Sequence, residues 1–409
     1  MKKAIFSTEI SLLKTTIERL LRRKAGENLT KIIRKTHPAD IALLMRGLNT
    51  ENQKIIFRLS PTFAYRAQVL EELDESLIEN VLSEKSVANI SKTFQYLGAN
   101  DQATIISMLP EKQQAAILER LEGEDLEDVE EIMSYADDSA GSVMTKETFM
   151  LNQNTTIKNA IAQLQSFPEN EKVFYVYVVD DKERLVGVLS LRNLVTSKNT
   201  KKLHEIMIKD IQAATTDTDQ EEVAKIVAQY NYLALPVVNK QNKFLGIVTI
   251  DDVVDIIRQE ASEDFLQMAG VGKDREILLK SPLKNAQARA PWIFASLIGG
   301  ICAAAIIGYF DALLKEIIVL AAFIPVIIGM GGNIGTQSST IVVRGLATGR
   351  VDIGNTVNLV LKEIVVGAIL GVLYGALIGF ASAFITGKFL SATTQDLTKK
   401  DIKPNLTEY

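Results

Sequence analysis

The chain has 409 residues, long enough for several domains, and its formal net charge of −5 gives no electrostatic basis for a nucleic-acid partner. A single cysteine, Cys302, excludes an intrachain disulfide, and two separated histidines, His37 and His204, argue against a zinc site or a histidine-based triad. No GxxxxGK[ST] pattern supports an ATP-driven motor, and the N-terminus lacks the apolar run of a cleaved signal peptide.

Apolar residues are unevenly spread: residues 1–285 read as a soluble, highly charged protein, whereas 291–386 is mostly apolar with short polar links. Residues 1–139 read as a regulatory N-terminal domain made of a stack of short helices. Ile41, Leu44, Met45 and Leu48 fall at helical spacing after His37-Pro38-Ala39-Asp40, where Asp40 is expected to accept from the backbone N–H groups of the first turn. Ile105, Met108 and Leu109, then Ala115, Leu118 and Leu121, make two further helices separated by Pro110. Such a stack suits a scaffold or regulatory arm rather than catalysis.

An internal repeat with a period of about sixty residues follows. The first copy carries Val173-Phe174-Tyr175-Val176-Tyr177-Val178-Val179, a polar turn and Leu185-Val186-Gly187-Val188-Leu189-Ser190; the second carries Leu235-Pro236-Val237-Val238, a turn and Phe244-Leu245-Gly246-Ile247-Val248-Thr249. Each copy ends in a helix, near Leu191 and Ile250, and each opens similarly, with Val143-Met144-Thr145 and Ile206-Met207-Ile208. Two β-branched strands and a helix make a small α+β module. The arrangement resembles a tandem CBS-domain pair, with copies at 140–200 and 201–262. In that family the pattern Gly-x-x-(Ser/Thr)-x-x-(Asp/Asn) can bind an adenosine ribose. Here it reads Gly187, Ser190, Asn193 and Gly246, Thr249, Asp252. It identifies the fold better than a ligand, so a structural role is expected ahead of ATP.

Residues 250–285 are expected to form a long connecting helix overlapping the end of the second copy, with repelling acids at helix-neighbour spacings among Asp251, Asp252, Asp255, Glu260, Glu263 and Asp264. A membrane domain at 286–386 then offers three apolar segments, about 291–310, 317–343 and 357–386, each able to cross a hydrocarbon layer of about 30 Å. Trp292 suits the membrane interface, and Lys284, Arg289, Arg344 and Arg350 place the N-terminal half in the cytoplasm of a multi-pass inner or plasma membrane protein. Gly367, Gly371, Gly375 and Gly379 make a smooth ridge for helix packing. The second segment holds the polar groups: Asn333 and Gln337 share one face, and Pro325 frees a backbone carbonyl. Gly329, Gly332, Asn333, Thr336 and Gln337 are the candidate pore-lining residues, and interhelical hydrogen bonding is the competing role for the polar ones.

Residues 1–386 resemble the MgtE family of magnesium channels. The matching runs are Ala140-Gly141-Ser142-Val143-Met144-Thr145, Asp217-Thr218-Asp219-Gln220-Glu221-Glu222, Thr249-Ile250-Asp251-Asp252-Val253 and Glu260-Ala261-Ser262-Glu263-Asp264. Arg289-Ala290-Pro291-Trp292, Gly331-Gly332-Asn333-Ile334-Gly335-Thr336-Gln337 and Arg344-Gly345-Leu346-Ala347 match as well. The resemblance implies an all-α superhelical N-domain, an α+β CBS pair, a long connecting "plug" helix and an α-helical transmembrane domain. It also implies a homodimer in a lipid bilayer, no enzyme activity, and a passive magnesium pore closed when cytoplasmic magnesium binds acidic residues. By residue match the regulatory ligands are Asp219, Glu221, Asp252, Asp255, Glu260, Glu263 and Asp264. Asn231 stands where the family often has an acid, which removes one ligand.

The resemblance further implies five spans, with the second and fifth lining the pore and an acidic ion-binding residue in the fifth. Residues 387–409 are polar, so the fourth and fifth helices are expected to be missing and a truncated subunit results. A non-conducting, membrane-anchored magnesium sensor is the alternative. An enzyme governed by the CBS pair would need a catalytic constellation that the sequence does not contain.

Overall fold

A computed structural model describes residues 2–82, 87–167, 173–271, 282–316, 318–347 and 356–400. The chain divides into two compact units, Met1–Arg258 and Gln259–Tyr409.

Among the described residues, the first unit begins with ten helices: α1 (Lys2–Arg22), α2 (Gly26–Lys35), α3 (Pro38–Met45), α4 (Thr50–Leu59), α5 (Phe63–Glu71), α6 (Glu75–Leu82), α7 (Val87–Phe94), α8 (Ala99–Met108), α9 (Glu111–Leu118) and α10 (Glu124–Ser134). Each packs on the next but one in the chain, from α1 on α3 through α8 on α10, which winds the array into a superhelix. The buried stripe runs through Ile33, Ile41, Met45, Ile56, Phe57, Leu70, Ile90, Phe94 and Ile106. Helices this short need fixed ends, because their terminal N–H and C=O groups have no partner within the helix. Three glutamines supply the corners from inside. The Gln53 side-chain amide donates to the carbonyls of Met45 and Leu48, that of Gln102 to Leu97, and that of Gln114 to Ser107 and Leu109. Each stands five residues after a leucine, a pattern of Leu48, Leu97 and Leu109 that the hydrophobic periodicity does not show. The cap of α3 is His37 rather than Asp40: its Nδ1 accepts from the Ala39 N–H at 3.3 Å. Pro38 takes the first helical position, which puts His37 one residue outside the helix, where a side-chain acceptor can reach back. Pro110 separates α8 from α9, as its spacing predicts, and stands at the N-cap position of α9.

The repeat forms two three-stranded sheets of the same design. In the first, β1 (Met150–Asn152) runs parallel to β2 (Tyr175–Val179), which pairs antiparallel with β3 (Leu185–Ser190). In the second, β4 (Ala214–Thr215), β5 (Ala234–Val238) and β6 (Phe244–Thr249) repeat that order. Helices α12 (Ile157–Ser166) and α13 (Leu191–Thr196) complete the first copy, α14 (Gln220–Tyr230) and α15 (Ile250–Met268) the second. The facing sheets bury Tyr177, Val188, Ala234, Phe244 and Ile247 between them, with Tyr177 stacked on Phe244 at 4.9 Å.

The lead-in segments exchange places. Thr145 pairs with Ile247 of the second copy (N–H to C=O, 2.7 and 3.0 Å), and Ile208 pairs with Val188 of the first (2.9 Å both ways). The short helix α11 (Ala140–Val143) and Met144 belong to the second copy's core, while Leu203, Ile206 and Met207 pack into the first. A division at 200/201 therefore follows chain order but not packing. Gly187 and Gly246 make the exchange possible: a Cβ on Gly246 would lie 2.6 Å from the Thr145 carbonyl oxygen, and one on Gly187 would lie 2.7 Å from Met207 Cγ.

The second unit contains α16 (Pro282–Tyr309), α17 (Asp311–Glu316), α18 (Ile318–Ala347) and α19 (Thr356–Lys400). The connecting helix α15 ends at Met268 rather than continuing to 285; Gly270 follows at φ +70°, a left-handed turn, with the Trp292 ring against it. Residues 272–281 lie outside the described residues, as do Ile317, Arg350 and 401–409. Among the described residues, Pro282–Tyr309 and Val357–Ile385 are long and apolar enough to cross a membrane, with mean hydropathy 2.0 and 2.4. Helix α18 runs unbroken through Pro325, and α19 extends past 386 to Lys400, so the polar stretch after the third apolar segment begins as helix.

Candidate functional site

The ribose-binding pattern of the two copies is, in this structure, a pair of helix caps. Ser190 Oγ accepts from the Asn193 N–H at 3.2 Å and opens α13. Thr249 Oγ donates to the Asp252 carboxylate at 2.6 Å, the Thr249 N–H donates to the same oxygen at 3.2 Å, and the Asp252 N–H returns to Thr249 Oγ at 3.5 Å. This reciprocal arrangement is a capping box, and it orients Asp252 at the positive end of α15. The spacing Ser/Thr-x-x-Asp/Asn thus has a local structural purpose.

The predicted regulatory acids lie at helix starts and along α15. Asp219 caps α14, its carboxylate accepting from the Glu221 N–H at 2.8 Å, and Ser139 pairs with it through an isolated bridge. Glu221 is paired with Lys225 at 2.9 Å one turn on. Asp217, beside them, is held below the ordinary carboxylate range first by the Thr215 hydroxyl, which donates to it at 2.6 Å, with backbone and Lys240 contributing. On α15, Asp255 pairs with Arg258 at 3.3 Å, and Glu263 is buried, 6% exposed. Asp252, Asp255 and Glu263 fall on one side of that helix at 3.6-residue periodicity. Among the described residues no three His, Cys, Asp or Glu side chains converge as a metal-holding group. Asn231 serves the backbone instead. It ends α14 at φ 55°, ψ 43°, the left-handed conformation that asparagine tolerates better than most residues.

Gly329, Gly332, Asn333, Thr336 and Gln337 recur at i, i+3, i+4, i+7 and i+8 on one exposed face of α18. Thr336 Oγ donates to the Gly332 carbonyl at 3.0 Å, and Thr340 Oγ to the Thr336 carbonyl at 2.8 Å, so these hydroxyls satisfy themselves within the helix. Beyond the adjoining turns of α18 itself, no described atom lies within 4 Å of a Cβ built on Gly329 or Gly332. Further along the chain, Ser338, Ser339, Val342 and Val343 of α18 and Val360, Glu363 and Ile364 of α19 line an open groove of ≈ 380 Å³.

A group that sequence reasoning missed joins the helical array to the strand modules. Lys146, 14% exposed, places its ammonium between Asp128 (2.6 Å) and Glu131 of α10, and the Tyr135 hydroxyl donates to the other oxygen of Glu131 at 2.6 Å. Burial works against ionisation here. The hydrogen bonds and charges of the cluster outweigh it, holding the Glu131 carboxyl below and the Lys146 ammonium above their ordinary values. The adjacent Glu147 accepts from the Ala99 N–H at 3.4 Å, at the start of α8. The signal was a basic–acidic dipeptide following the acidic run of α10, with no periodicity to mark it.

Three family models match in chain order: the MgtE intracellular N domain over residues 36–138, the CBS domain over 140–198 and 203–259, and a divalent cation transporter over 324–398. The magnesium transporter MgtE of Bacillus subtilis is 31% identical over 372 residues, 91% of this chain and 82% of that protein. The one from Thermus thermophilus is 32% identical over 367 residues, 88% and 81% respectively. Among solved structures, the cytosolic domain of the Mg2+ channel MgtE in complex with ATP is 31% identical, with a TM-score of 0.56, over 59% of this chain and 99% of that one. The soluble part of a magnesium transporter is 25% identical, with a TM-score of 0.54, over 62% and 99%. The helical array, the paired strand modules and the apolar C-terminal helices thus occur here in the order shared by transporters from two bacteria, and the chain belongs to the MgtE family of divalent cation transporters.

Proposed function

We propose that the chain is a magnesium-conducting membrane subunit whose opening is set by magnesium on the cytoplasmic side. The observation that carries conduction is the stripe Gly329, Gly332, Asn333, Thr336 and Gln337 on a face of α18 that α19 leaves uncovered. Amide and hydroxyl oxygens beside bare backbone suit a cation that keeps its hydration shell, as magnesium does because it loses water reluctantly. The names of the relatives, magnesium transporters of the same order of domains, support the choice of ion.

Regulation rests on Asp219, Glu221, Asp252, Asp255, Glu260, Glu263 and Asp264. Among the described residues no three carboxylates converge, so a regulatory magnesium fits only where carboxylates from different elements are brought together around its waters. Separated acids repel one another when unfilled, and an ion that binds the gathered arrangement better shifts the population toward it. We assign this gathered arrangement to the closed channel, in a homodimer with residues 1–285 cytoplasmic and α16, α18 and α19 in the bilayer. ATP is a further candidate ligand of the CBS pair, by likeness to the relative solved with it. Asp252, already oriented by Thr249, is the residue that would receive a ribose there.

The test is flux. The purified full chain in liposomes should pass magnesium down its gradient, and Gln337→Leu with Asn333→Leu should lower the rate without lowering the amount inserted. No magnesium flux from correctly inserted protein would refute conduction by this chain and leave only its soluble half to be explained.

A further inference from the structure

We propose that the closing turn of the connecting helix α15, residues 265–270, lies in the headgroup layer of the bilayer, docked on the Trp292 end of α16. The turn ends in a Schellman motif. Gly270 takes φ +70°, its N–H donates to the Gln267 carbonyl at 2.9 Å, and the Val271 N–H reaches back to the Leu266 carbonyl at 3.0 Å. The Trp292 ring lies against this glycine: a Cβ there would fall 2.4 Å from Cγ and 2.5 Å from Cδ1 of the indole. Only a residue without a side chain accepts both the left-handed backbone and the ring.

This dock fixes a level. Trp292 opens the apolar run of α16 and is 59% exposed, with Ile293 and Phe294 beyond it open as well. An indole with one side on a glycine and the rest uncovered suits the boundary between water and hydrocarbon. Lys284 and Arg289 stand exposed before it, where lipid phosphates lie. Phe265, 66% exposed, belongs to the same compact unit. It stands five residues before Gly270, at most about 7.5 Å away along the helix axis at 1.5 Å per residue. The headgroup layer is itself about 5–8 Å deep on each side of the hydrocarbon. At any tilt away from the bilayer, Phe265 therefore stays within that layer or at its rim, where an open aromatic ring is stabilised. Glu260 and Asp264, on the same helix, keep the turn from sinking further, because carboxylates are excluded from hydrocarbon. A second copy of the chain is the competing cover for Phe265, but the continuity of its turn with the open start of α16 favours lipid.

This inference rests on α16 crossing the bilayer, not on the magnesium assignments, and Cys302, exposed within α16, separates the two. The full chain is placed in vesicles of equal parts phosphatidylcholine and phosphatidylglycerol. A nitroxide is attached to native Cys302, or at position 265 through Phe265→Cys in a Cys302→Ser background. Its collisions with oxygen, which dissolves in lipid, are compared with those of a water-soluble nickel chelate. The probe on Cys302 should meet little chelate, and the probe at 265 should meet oxygen more often than chelate. Gly270→Ala puts a methyl where the indole lies, so it should raise chelate collisions at 265. It should also speed exchange of the Val271 amide by about five- to thirtyfold, the range set by the strain of a left-handed alanine. A probe at 265 that meets chelate as freely as oxygen would overturn the proposal, as would one shielded from both by a second copy, while Cys302 stays sealed. Unchanged Val271 exchange in Gly270→Ala would overturn the dock on Trp292. A probe on Cys302 open to the chelate would overturn the membrane placement of α16 and the proposal with it.

Discussion

Gly246→Ala tests how the two strand modules are interlocked. The new methyl would stand 2.6 Å from the Thr145 carbonyl oxygen, a backbone atom that accepts from the Ile247 N–H at 3.0 Å while the Thr145 N–H donates back to the Ile247 carbonyl at 2.7 Å. No rotamer change relieves that contact. Either the Thr145–Ile247 pair opens, losing two hydrogen bonds at about 0.5–1.5 kcal/mol each, or the backbone shifts and the overpacking costs about 1–3 kcal/mol. A penalty of about 1–3 kcal/mol follows either way, and at roughly 1.4 kcal/mol per decade the Ile247 amide should open about 5- to 140-fold more often. Residue-resolved hydrogen exchange on the full chain reads this directly. Gly187→Ala meets the Met207 side chain instead, which can swing aside, so its effect should be smaller and largely relieved by Met207→Ala. An Ile247 amide in Gly246→Ala that exchanges within about threefold of wild type would refute the close-approach argument, since it would show the lead-in segment free to move.

Asn231→Gly should leave stability within a few tenths of a kcal/mol, while Asn231→Ala should cost about 1 kcal/mol because alanine resists the left-handed end of α14; chemical denaturation separates them. Asp252→Asn should keep its helix cap, since asparagine accepts as well as aspartate, yet lose any response to magnesium, whereas Asp252→Ala should also lose about 1 kcal/mol of stability. The α10 joint should be pH-dependent with a definite sign. Glu131, held below its ordinary 4.5 beside Lys146, Asp128, Tyr135 and the more distant Lys243, contributes stability above about pH 4.5 that is lost as acid protonates it. Lys146, held above 10.5, contributes below that pH and loses it as alkali passes the raised value, so α10 protection should be flat between about pH 5 and 10 and fall on the acid side first.

Element types were legible wherever periodicity was strong. The β-branched runs of β2 and β3, repeated in β5 and β6, and the helical stripe through Ile41 and Met45 led to the observed elements. The family pattern of glycines and acids led to the modules. What could not be read was anything set by long-range packing. Nothing local to Val143–Thr145 says that it serves the second copy; the only mark is the missing Cβ on Gly246, far along the chain. The cap of α3 reads as Asp40 rather than His37 because a histidine acceptor is rare at that position, and only Pro38 fixes the register. The continuation of the connecting helix fails at Gly270, whose left-handed turn lies among residues of helical composition. For the candidate sites, residue type suggests chemistry, but the structure assigns Ser190, Asn193, Thr249 and Asp252 to helix capping, a role their spacing serves equally well. Lys146 carries no motif at all, and its importance comes only from the acids that α10 brings to it.

The most direct measurement follows hydrogen exchange of the full chain while magnesium is titrated through the millimolar range. Protection should rise along α15 and the first turn of α14, where Asp252, Asp255, Asp219 and Glu221 stand, and Asp252→Asn with Asp255→Asn should abolish the rise. If those segments exchange identically with and without the ion, these acids do not sense magnesium and the proposed regulation fails.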